Sequence, residues 1–368
     1  MSNPVYLDYN ATAPVKPEVI DAMAEAMASV GNPSSVHAAG RAARKRLSRA
    51  REQVAALVGA SPEAVVFTSG GTEANNQALA GDGPLLVSAI EHPSILALAR
   101  DQLSVPVTDD GLIDLDSLRQ CLASQRPATL AVMVANNETG VIQPIAEIAE
   151  IARTASVRLH VDAVQAAGKI PLDLAELGAD TLSLSAHKLG GPQGVGALVC
   201  RDGLEPEALL RGGAQERRFR AGTENLPGIV GFGEAAALAL ADRRFAERTR
   251  ALRDRLEVGI RALSDEVRIT GAEAPRLPNT SCLVFPGLSH DTQLIHYDLA
   301  GIAVSAGSAC SSGKVGPSPV LLAMGFSRED AAAAIRVSFG WASEESDVDR
   351  FLQAAEKLLA RRTLRKTA

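Results

Sequence analysis

A lysine near the middle of the chain has the setting of an amine that reacts with carbonyl groups. Lys188 lies in the segment SLSAHKLGGPQGVGAL, after a strand-like run that ends at Ser185 and before several glycines. A lysine among small residues at a strand end can be desolvated, which would lower its pKa and leave a neutral nucleophile for an aldehyde. Ser185 and His187 could donate hydrogen bonds to a phosphate. Considered alone, a single lysine is more often a solvated surface residue.

An aspartate ends a second apolar run. In the segment HVDAVQAAGKIPLDL, Asp162 follows a predicted buried strand, the place where α/β proteins bind ligands. A carboxylate there needs a cationic partner, and a protonated pyridine nitrogen would be one. This pairing would make pyridoxal phosphate an electron sink, with Gln165 placed to reach the ring oxygen. The alternative is that Asp162 caps the following helix.

A third segment, VVFTSGGTEANN, suggests a phosphate-binding turn. A strand leads into Gly70, Gly71 and Thr72 and then into a helix. Backbone N–H groups at the start of a helix attract anions, and glycines let a phosphate approach closely. Many strand-to-helix turns contain paired glycines, so this segment gains force only together with the other two.

One of the four cysteines differs from the others in its neighbours. Cys310 lies in SAGSACSSGKVGPSP, where small and polar residues predict a mobile, exposed loop and a reactive thiol. Cys121, Cys200 and Cys282 lie in or beside apolar runs and are predicted to be packing residues. The four form no CxxC pair, so their spacing predicts neither a zinc site nor a disulfide framework.

Composition and charge are those of a soluble protein with a large core. Of the 368 residues, 46% are hydrophobic, and the formal net charge is −6. Nucleic-acid-binding proteins usually show a basic balance, and the arginine-rich stretch 41–51 has the period of the wet face of a helix. The N-terminal MSNPVYLDYNATAP has no basic region before an apolar core, and no apolar run is long enough to span a bilayer. We therefore expect a cytoplasmic protein that binds neither nucleic acid nor membrane.

Strand-like and helical patterns alternate, which predicts an α/β sheet with helices on both faces. Strands are predicted at 64–67, 85–89, 129–135, 157–162, 180–185 and 194–200, and helices at 72–80, 93–103, 115–123 and 144–153. From 227 to about 263 the pattern changes to one or two long helices, followed by strands at 281–285 and 302–308 and helices at 317–324 and 346–361. We predict a large domain over 16–250 and a smaller α+β domain formed by 1–15 and 251–368.

These segments together resemble the cysteine desulfurases (NifS- and IscS-like), within the class V family of pyridoxal-phosphate-dependent aminotransferases. The resemblance covers almost the whole chain and implies the fold type I of these enzymes, with a mostly parallel seven-stranded sheet in the large domain. The matching segments are YLDYNATAP, GNPSSVH, VVFTSGGTEANN, EHPSI, ANNETGVIQPI, HVDAVQAAGKIPLDL, SAHKLGGPQGVGAL, RFRAGTENLPGIVGFGEA, AVSAGSACSSG and IRVSFG. The stretch 79–86, the run before 114 and the C-terminal LLARRTLRKTA are shorter than in the family, and the last of these puts scaffold binding in doubt.

The resemblance also implies a role for each matching residue. Lys188 would bind pyridoxal phosphate covalently and later move protons, and His92 would stack on its ring and assist acid–base steps. Asp162 would pair with the ring nitrogen and Gln165 with the ring hydroxyl. The phosphate would be held by Gly71, Thr72, Ser185 and His187.

The remaining roles concern the substrate and a second subunit. Asn137 and Arg336 would bind the carboxylate of the substrate, and Asn137 would also contact the cofactor. An arginine fork suits a carboxylate because it donates two parallel hydrogen bonds. Thr223 would reach the phosphate of the neighbouring subunit, which implies a homodimer.

The implied activity is the conversion of L-cysteine to L-alanine. Cys310 would take the sulfur as a persulfide and pass it to an acceptor or iron–sulfur scaffold protein, for iron–sulfur clusters or other sulfur products. No intrinsic metal site is expected, although Cys310 could briefly ligate a cluster shared with the scaffold. Selenocysteine lyase, aminotransferase and a sulfur carrier without catalysis are the alternatives. Whether the acceptor serves nitrogenase, general cluster assembly or tRNA thiolation is left open.

The position of Cys310 leads to a first prediction. The variant Cys310→Ser should bind the cofactor and cysteine, and its visible spectrum should change on mixing, because those steps need no thiol. It should release almost no alanine and carry no persulfide, because sulfur abstraction needs a nucleophile. Cys121→Ser is the control and should retain turnover. Normal desulfuration of cysteine by Cys310→Ser would rule out the persulfide.

Overall fold

A computed structural model describes residues 4–81, 83–99, 104–307 and 316–367. The strands of this part of the chain are short and mostly buried. They are β1 (Val5–Tyr6), β2 (Val65–Thr68), β3 (Leu85–Ser88), β4 (Ser104–Val105), β5 (Thr129–Met133), β6 (Arg158–Asp162), β7 (Thr181–Ser185), β8 (Gly196–Cys200), β9 (Arg268–Ile269), β10 (Thr280–Val284), β11 (Ile302–Ala303), β12 (Ser305–Ala306) and β13 (Ala334–Ser338).

The helices range from single turns to long amphipathic helices. They are α1 (Pro17–Ala28), α2 (Ala38–Leu57), α3 (Gly71–Ala78), α4 (Pro93–Leu96), α5 (Leu115–Gln125), α6 (Ile145–Thr154), α7 (Leu174–Leu177), α8 (Leu226–Ala241), α9 (Phe245–Leu263), α10 (His290–Leu299), α11 (Pro319–Ala323), α12 (Arg328–Ala331) and α13 (Glu345–Thr367). None of the described helices is both long enough and apolar enough to cross a bilayer.

The largest sheet confirms the predicted α/β architecture. Its seven strands follow the order β2-β8-β7-β6-β5-β3-β4, and the pairs from β7 to β4 are all parallel. Only β8 runs against its neighbours, β2 and β7. Every residue of β5, β7 and β8 is buried, as expected for strands covered on both faces. The carboxyl ends of β5, β6 and β7 therefore meet at one edge of the sheet.

A second, antiparallel sheet has the order β12-β13-β10-β9. Its core includes buried side chains of α9, α10 and α13, among them Leu256, Tyr297 and Phe351, and the rings of Tyr297 and Phe351 stack at 4.7 Å. The N-terminal strand β1 pairs in parallel with β11, and Asp8 bridges to Ser338 in β13. The expected packing of the N-terminus on this later part of the chain is thus confirmed, while the domain limits at 15 and 250 stay a prediction.

Two expectations about helices have different outcomes. The arginine-rich stretch 41–51 lies in α2, whose buried side includes Ala43, Leu47 and Val54. Most of its basic residues are exposed, which confirms the predicted solvated face, but Arg51 is 12% exposed and pairs with the buried Glu216. The predicted helix 93–103 is wrong, because α4 ends at Leu96. The chain leaves the helix there and returns to the sheet by Ser104, where β4 pairs with β3; residues 100–103 of that prediction lie outside the described residues.

A buried ion pair joins α9 to the segment before β10. Arg276 donates two hydrogen bonds to Glu257, at 2.7 and 3.0 Å, and both side chains are 6% exposed. Ser281 in β10 donates to the same carboxylate at 2.8 Å. The three groups satisfy one another away from water.

We predict that Arg276→Met lowers the free energy of unfolding by about 3–5 kcal/mol, because it leaves the Glu257 carboxylate buried without its cation. Urea unfolding measures the change. Arg255→Met is the control. Arg255 pairs with Asp349 on the surface, so its loss should lower the free energy of unfolding much less. Equal effects of the two variants would contradict this account of the buried pair.

Candidate active site

The carboxyl edge of the large sheet opens into a cavity of about 410 Å³. It lies where α/β folds bind ligands, beyond the ends of parallel strands. The cavity brings together most of the residues that the sequence singled out, from segments far apart in the chain. These are Gly71, Thr72, His92, Asn137, Asp162, Gln165, Ser185, His187, Lys188 and Arg336.

A larger surface groove of about 710 Å³ lies elsewhere, beside the C-terminal parts of α5 and α6. Its lining includes Arg119, Glu150 and apolar side chains such as Leu122 and Val157. None of the residues with a predicted chemical role lines it. We therefore assign the site to the smaller cavity.

Asp162 ends β6 with both carboxylate oxygens in hydrogen bonds. The backbone N–H of Val164 donates to Oδ1 at 2.9 Å, and the amide of Asn75 donates to Oδ2 at 2.8 Å. The contact with Val164 resembles the helix cap that was the alternative role for Asp162, although no α-helix begins there. The residue is 7% exposed and lines the cavity, so its charge is available to a cationic ligand.

Asn75 in α3 fixes this carboxylate through a buried network. Its amide nitrogen also donates to Ser94 Oγ at 2.9 Å, and its oxygen lies 3.0 Å from His160 Nε2. Because an amide oxygen can only accept, His160 carries its proton on Nε2 and accepts at Nδ1 from Thr181, 2.9 Å away. Burial lowers the pKa of His160 to about 3, which keeps the ring neutral.

His92 caps the short helix α4 and faces the cavity. The backbone N–H of Ser94 donates to its Nδ1 at 3.1 Å. A neutral His92 must therefore carry its proton on Nε2. Burial lowers the pKa of His92, while the Asp162 carboxylate acts in the opposite direction. Nε2 is thus the ring nitrogen left to contact a ligand in the cavity.

The Lys188 amine is held by the N-terminal segment. Its Nζ donates to the backbone oxygens of Asn10 and Ala11, at 2.6 and 2.8 Å. The turn after β7 places it in the cavity, as the strand-end position predicted. Both of these acceptors are uncharged carbonyl groups, and they orient the amine.

The glycine turn before α3 has the shape of an anion site. Helix α3 begins at Gly71, and a Cβ atom there would lie 2.7 Å from Val164 Cγ2, so the position has room only for glycine. Thr72, Ser185 and His187 line the same recess. Burial and the nearby Lys188 cation lower the pKa of His187 to about 4, so its ring is neutral there. Neutral donors and a helix N-terminus are the groups that bind phosphate.

Arg336 in β13 is buried, and its partners are now visible. Its guanidinium donates to Asp8 Oδ1 at 2.7 Å and to the backbone oxygen of Asn137 at 2.9 Å, while Nε is buried with no partner among the described residues. A buried arginine needs an anion, and Asp8 supplies one. Asp8 also accepts from Ser305 at 2.7 Å, so the carboxylate is shared.

Two predicted residues are not among those that line the cavity. Thr223 is exposed and lies away from it, and its contact with a neighbouring subunit stays a prediction. Cys310 lies outside the described residues. Among the described cysteines, Cys200 and Cys282 are buried and Cys121 packs partly against the core, which confirms their interpretation as packing residues.

The sequence reasoning missed the residues that hold the others in place. Asn10, Asn75, Asp8 and Lys169 had no assigned role, yet each is hydrogen-bonded to a cavity residue or to its partner. Their segments, YLDYNATAP, GGTEANN and VQAAGK, were recognised only as matches to the family. The one signal in the sequence that could have indicated these positioning residues was their polar character next to a recognised motif.

Comparisons with known proteins identify the family of the chain. The model of the aminotransferase class-V family matches residues 5–351. A cysteine desulfurase of Cereibacter sphaeroides is 45% identical over 95% of this chain and 94% of its own, and a cysteine desulfurase IscS of Dictyoglomus turgidum is 39% identical over 98% and 95%. The X-ray structure of a NifS-like protein from Rickettsia africae, 34% identical, superposes with a TM-score of 0.91 over 97% of this chain and 100% of that one. The chain therefore belongs to the class V aminotransferase family and, within it, to the cysteine desulfurases.

Proposed function

We propose that this protein is a cysteine desulfurase that binds pyridoxal 5'-phosphate through Lys188, converts L-cysteine to L-alanine and passes the sulfur onward from Cys310. The observation that carries the proposal is the single cavity shared by Lys188, Asp162, the Gly71 turn and Arg336. An amine, a buried carboxylate, an anion site and a guanidinium are the groups that the cofactor and an amino acid substrate require. A plain aminotransferase would need no thiol.

The residues present fit the cofactor. Asp162 offers a buried carboxylate to a pyridinium nitrogen, and Gln165 offers an amide to the ring hydroxyl. The helix α3 N-terminus with Thr72, Ser185 and His187 offers donors to a phosphate. When bound, pyridoxal phosphate would supply an electron sink that weakens bonds at the substrate's α and β carbons.

The chain's own groups would position the reactants and move protons. A neutral Lys188 amine would be the nucleophile for an aldehyde, and the Asn10 and Ala11 carbonyl groups orient it for that bond. His92 holds a proton on Nε2, because Ser94 occupies Nδ1. It is thus placed to direct the Nε2–H group at the substrate, and to take a proton there only when that atom is unprotonated, without leaving its cap position.

Arg336 would bind the substrate carboxylate. Asp8 and the Asn137 carbonyl group hold its two terminal nitrogens, and the buried Nε has no partner among the described residues. A carboxylate that enters the cavity would supply the missing acceptor and share the guanidinium with Asp8. Arg336 and Asp8 would then hold the substrate by its carboxylate and leave its sulfur free to react.

Sulfur transfer requires a nucleophile, and we assign that role to Cys310. Its thiolate would form a bond to the substrate sulfur while the carbon–sulfur bond breaks. The carbon keeps the electron pair and gains a proton, which yields alanine, and the protein keeps a persulfide. A sulfur acceptor or an iron–sulfur scaffold protein would then take that sulfur. We further propose a homodimer, in which the exposed Thr223 would contact the second copy.

The cofactor assignment is tested at Lys188. The purified protein should be yellow, and reduction with borohydride followed by peptide mass mapping should find the cofactor fixed to Lys188. Lys188→Ala should lose alanine and sulfide release, because among the described residues Lys188 is the one lysine that lines the main cavity. Lys16→Ala is a matched control, since Lys16 lies nearby but does not line the main cavity. Full turnover by Lys188→Ala would end the proposal.

The substrate assignment is tested at Arg336. Arg336→Ala should lower kcat/KM for cysteine by on the order of 30- to 5,000-fold, the effect of losing a charged hydrogen-bonded partner worth about 2–5 kcal/mol. The visible spectrum of the bound cofactor should be unchanged, because in the described structure the guanidinium donates to Asp8 and to the Asn137 backbone, and not to a proposed cofactor-binding side chain. Steady-state kinetics and absorbance measure the two effects. An unchanged kcat/KM would place the substrate carboxylate elsewhere.

A further inference from the structure

A buried lysine beside the site has no part in the proposed reaction. Lys169 is 5% exposed and lies in the turns that follow β6. Its Nζ donates to Gln165 Oε1 at 2.8 Å and to Asn10 Oδ1 at 2.8 Å. Burying an amine costs free energy unless the amine is hydrogen-bonded. Both of its acceptors belong to residues that line the cavity.

The contacts of Gln165 settle which way its amide points. An amine in either protonation state donates here, so the atom that faces Lys169 must be the amide oxygen. The other end of the amide donates from Nε2 to the backbone oxygen of Asn10 at 2.9 Å, and a carbonyl oxygen can only accept. Two partners of opposite character therefore fix one orientation. Nε2 carries a second hydrogen, and Gln165 lines the cavity.

We propose that Lys169 is a positioning residue that holds the Gln165 amide with its N–H, and not its oxygen, directed to the ring oxygen of the cofactor. The inference rests on the proposed function, since it needs the cofactor in this cavity. Without Lys169, the amide oxygen would be buried without a donor, and only the bond to the Asn10 carbonyl would still hold the amide in this orientation. A rotated amide would present an acceptor to the same ring oxygen.

The proposal does not depend on the charge of Lys169. A neutral amine has two hydrogens and an ammonium group has three, so either form can donate to both acceptors. Burial lowers the pKa of Lys169 well below its usual value, and the Lys188 and Arg336 cations act in the same direction. Lys169 and Lys188 also line a second cavity, of about 30 Å³, behind the site. The other titratable groups around Lys169 are His187, Lys16, Asp242 and Tyr9.

A donor at the ring oxygen has a measurable effect. It favours the deprotonated oxygen, and so it lowers the pH at which the visible absorbance of the bound cofactor changes. Loss of the donor removes that stabilisation and should raise the midpoint of the titration. A hydrogen bond to a charged oxygen is strong enough to move such a midpoint by about one pH unit.

The test is a double-mutant cycle on the holoenzyme, read by absorbance titration. Lys169→Met and Gln165→Ala should each raise the midpoint by about one pH unit. The double variant should show no further rise, because Lys169 acts through Gln165. A midpoint unchanged in Lys169→Met would overturn the proposal, and so would a full additional shift in the double variant, which would mean that Lys169 acts by its charge.

Lys16→Met is the matched control. Lys16 lines the same small cavity but has no hydrogen bond to Gln165 in the described structure, so its loss should leave the midpoint in place. An equal shift in Lys16→Met would show a general charge effect and would also overturn the proposal.

If Lys169→Met does not fold, the cycle is repeated with Lys169→Gln. This polar side chain suits the buried setting but ends one bond short of the amine. We expect a smaller rise in the midpoint, again absent in the Gln165→Ala background, and an additive shift would reject the proposal. If the wild-type protein bound no cofactor at all, the proposed function would be refuted. That outcome differs from an unchanged or additive midpoint, which rejects only the role of Lys169.

Discussion

Asn10 forms hydrogen bonds with five separate parts of the chain, and the cavity depends on them. Its backbone oxygen accepts from Lys188 and Gln165, which follow β7 and β6 of the large sheet. Its side chain contacts Lys169 and, on the small sheet, Asn279 and Thr280. The backbone of an N-terminal segment thus fixes side chains more than 150 positions away in sequence. Asn10 thus sets the position of the Lys188 amine relative to the Gln165 amide.

Burial sets the electrostatic character of the cavity. The histidines on its wall or behind it, His92, His160 and His187, all have lowered pKa values, because desolvation disfavours the imidazolium form. These rings therefore act mainly as neutral donors and acceptors. The formal charges are left to Lys188, Asp162 and Arg336, and each is oriented by hydrogen bonds to other groups. A charged ligand would meet few competing charges.

The sequence predicted the parts of this site that follow from local rules. Asp162 and Lys188 stand at the ends of buried strands, and the carboxyl ends of parallel strands share one edge, so their meeting could be expected. The partners could not be predicted in this way. Asn75 and Asp162 are 87 positions apart, and Asp8 and Arg336 are 328 apart, so only the folded chain brings them together. The helix predicted at 93–103 failed for a related reason, because the need to reach the sheet edge by Ser104 outweighed local propensity.

The burial of two cysteines has a consequence for sulfur transfer to the protein's own thiols. Desolvation raises the pKa of Cys200 to about 12 and that of Cys282 to about 12. Only about one thiol in 10⁵ would be ionised at neutral pH, and the thiolate is the form that exchanges with a persulfide or a disulfide. Both side chains are also closed off from solvent within the protein core. A protein that generates reactive sulfur is thereby protected from sulfurating these two thiols itself.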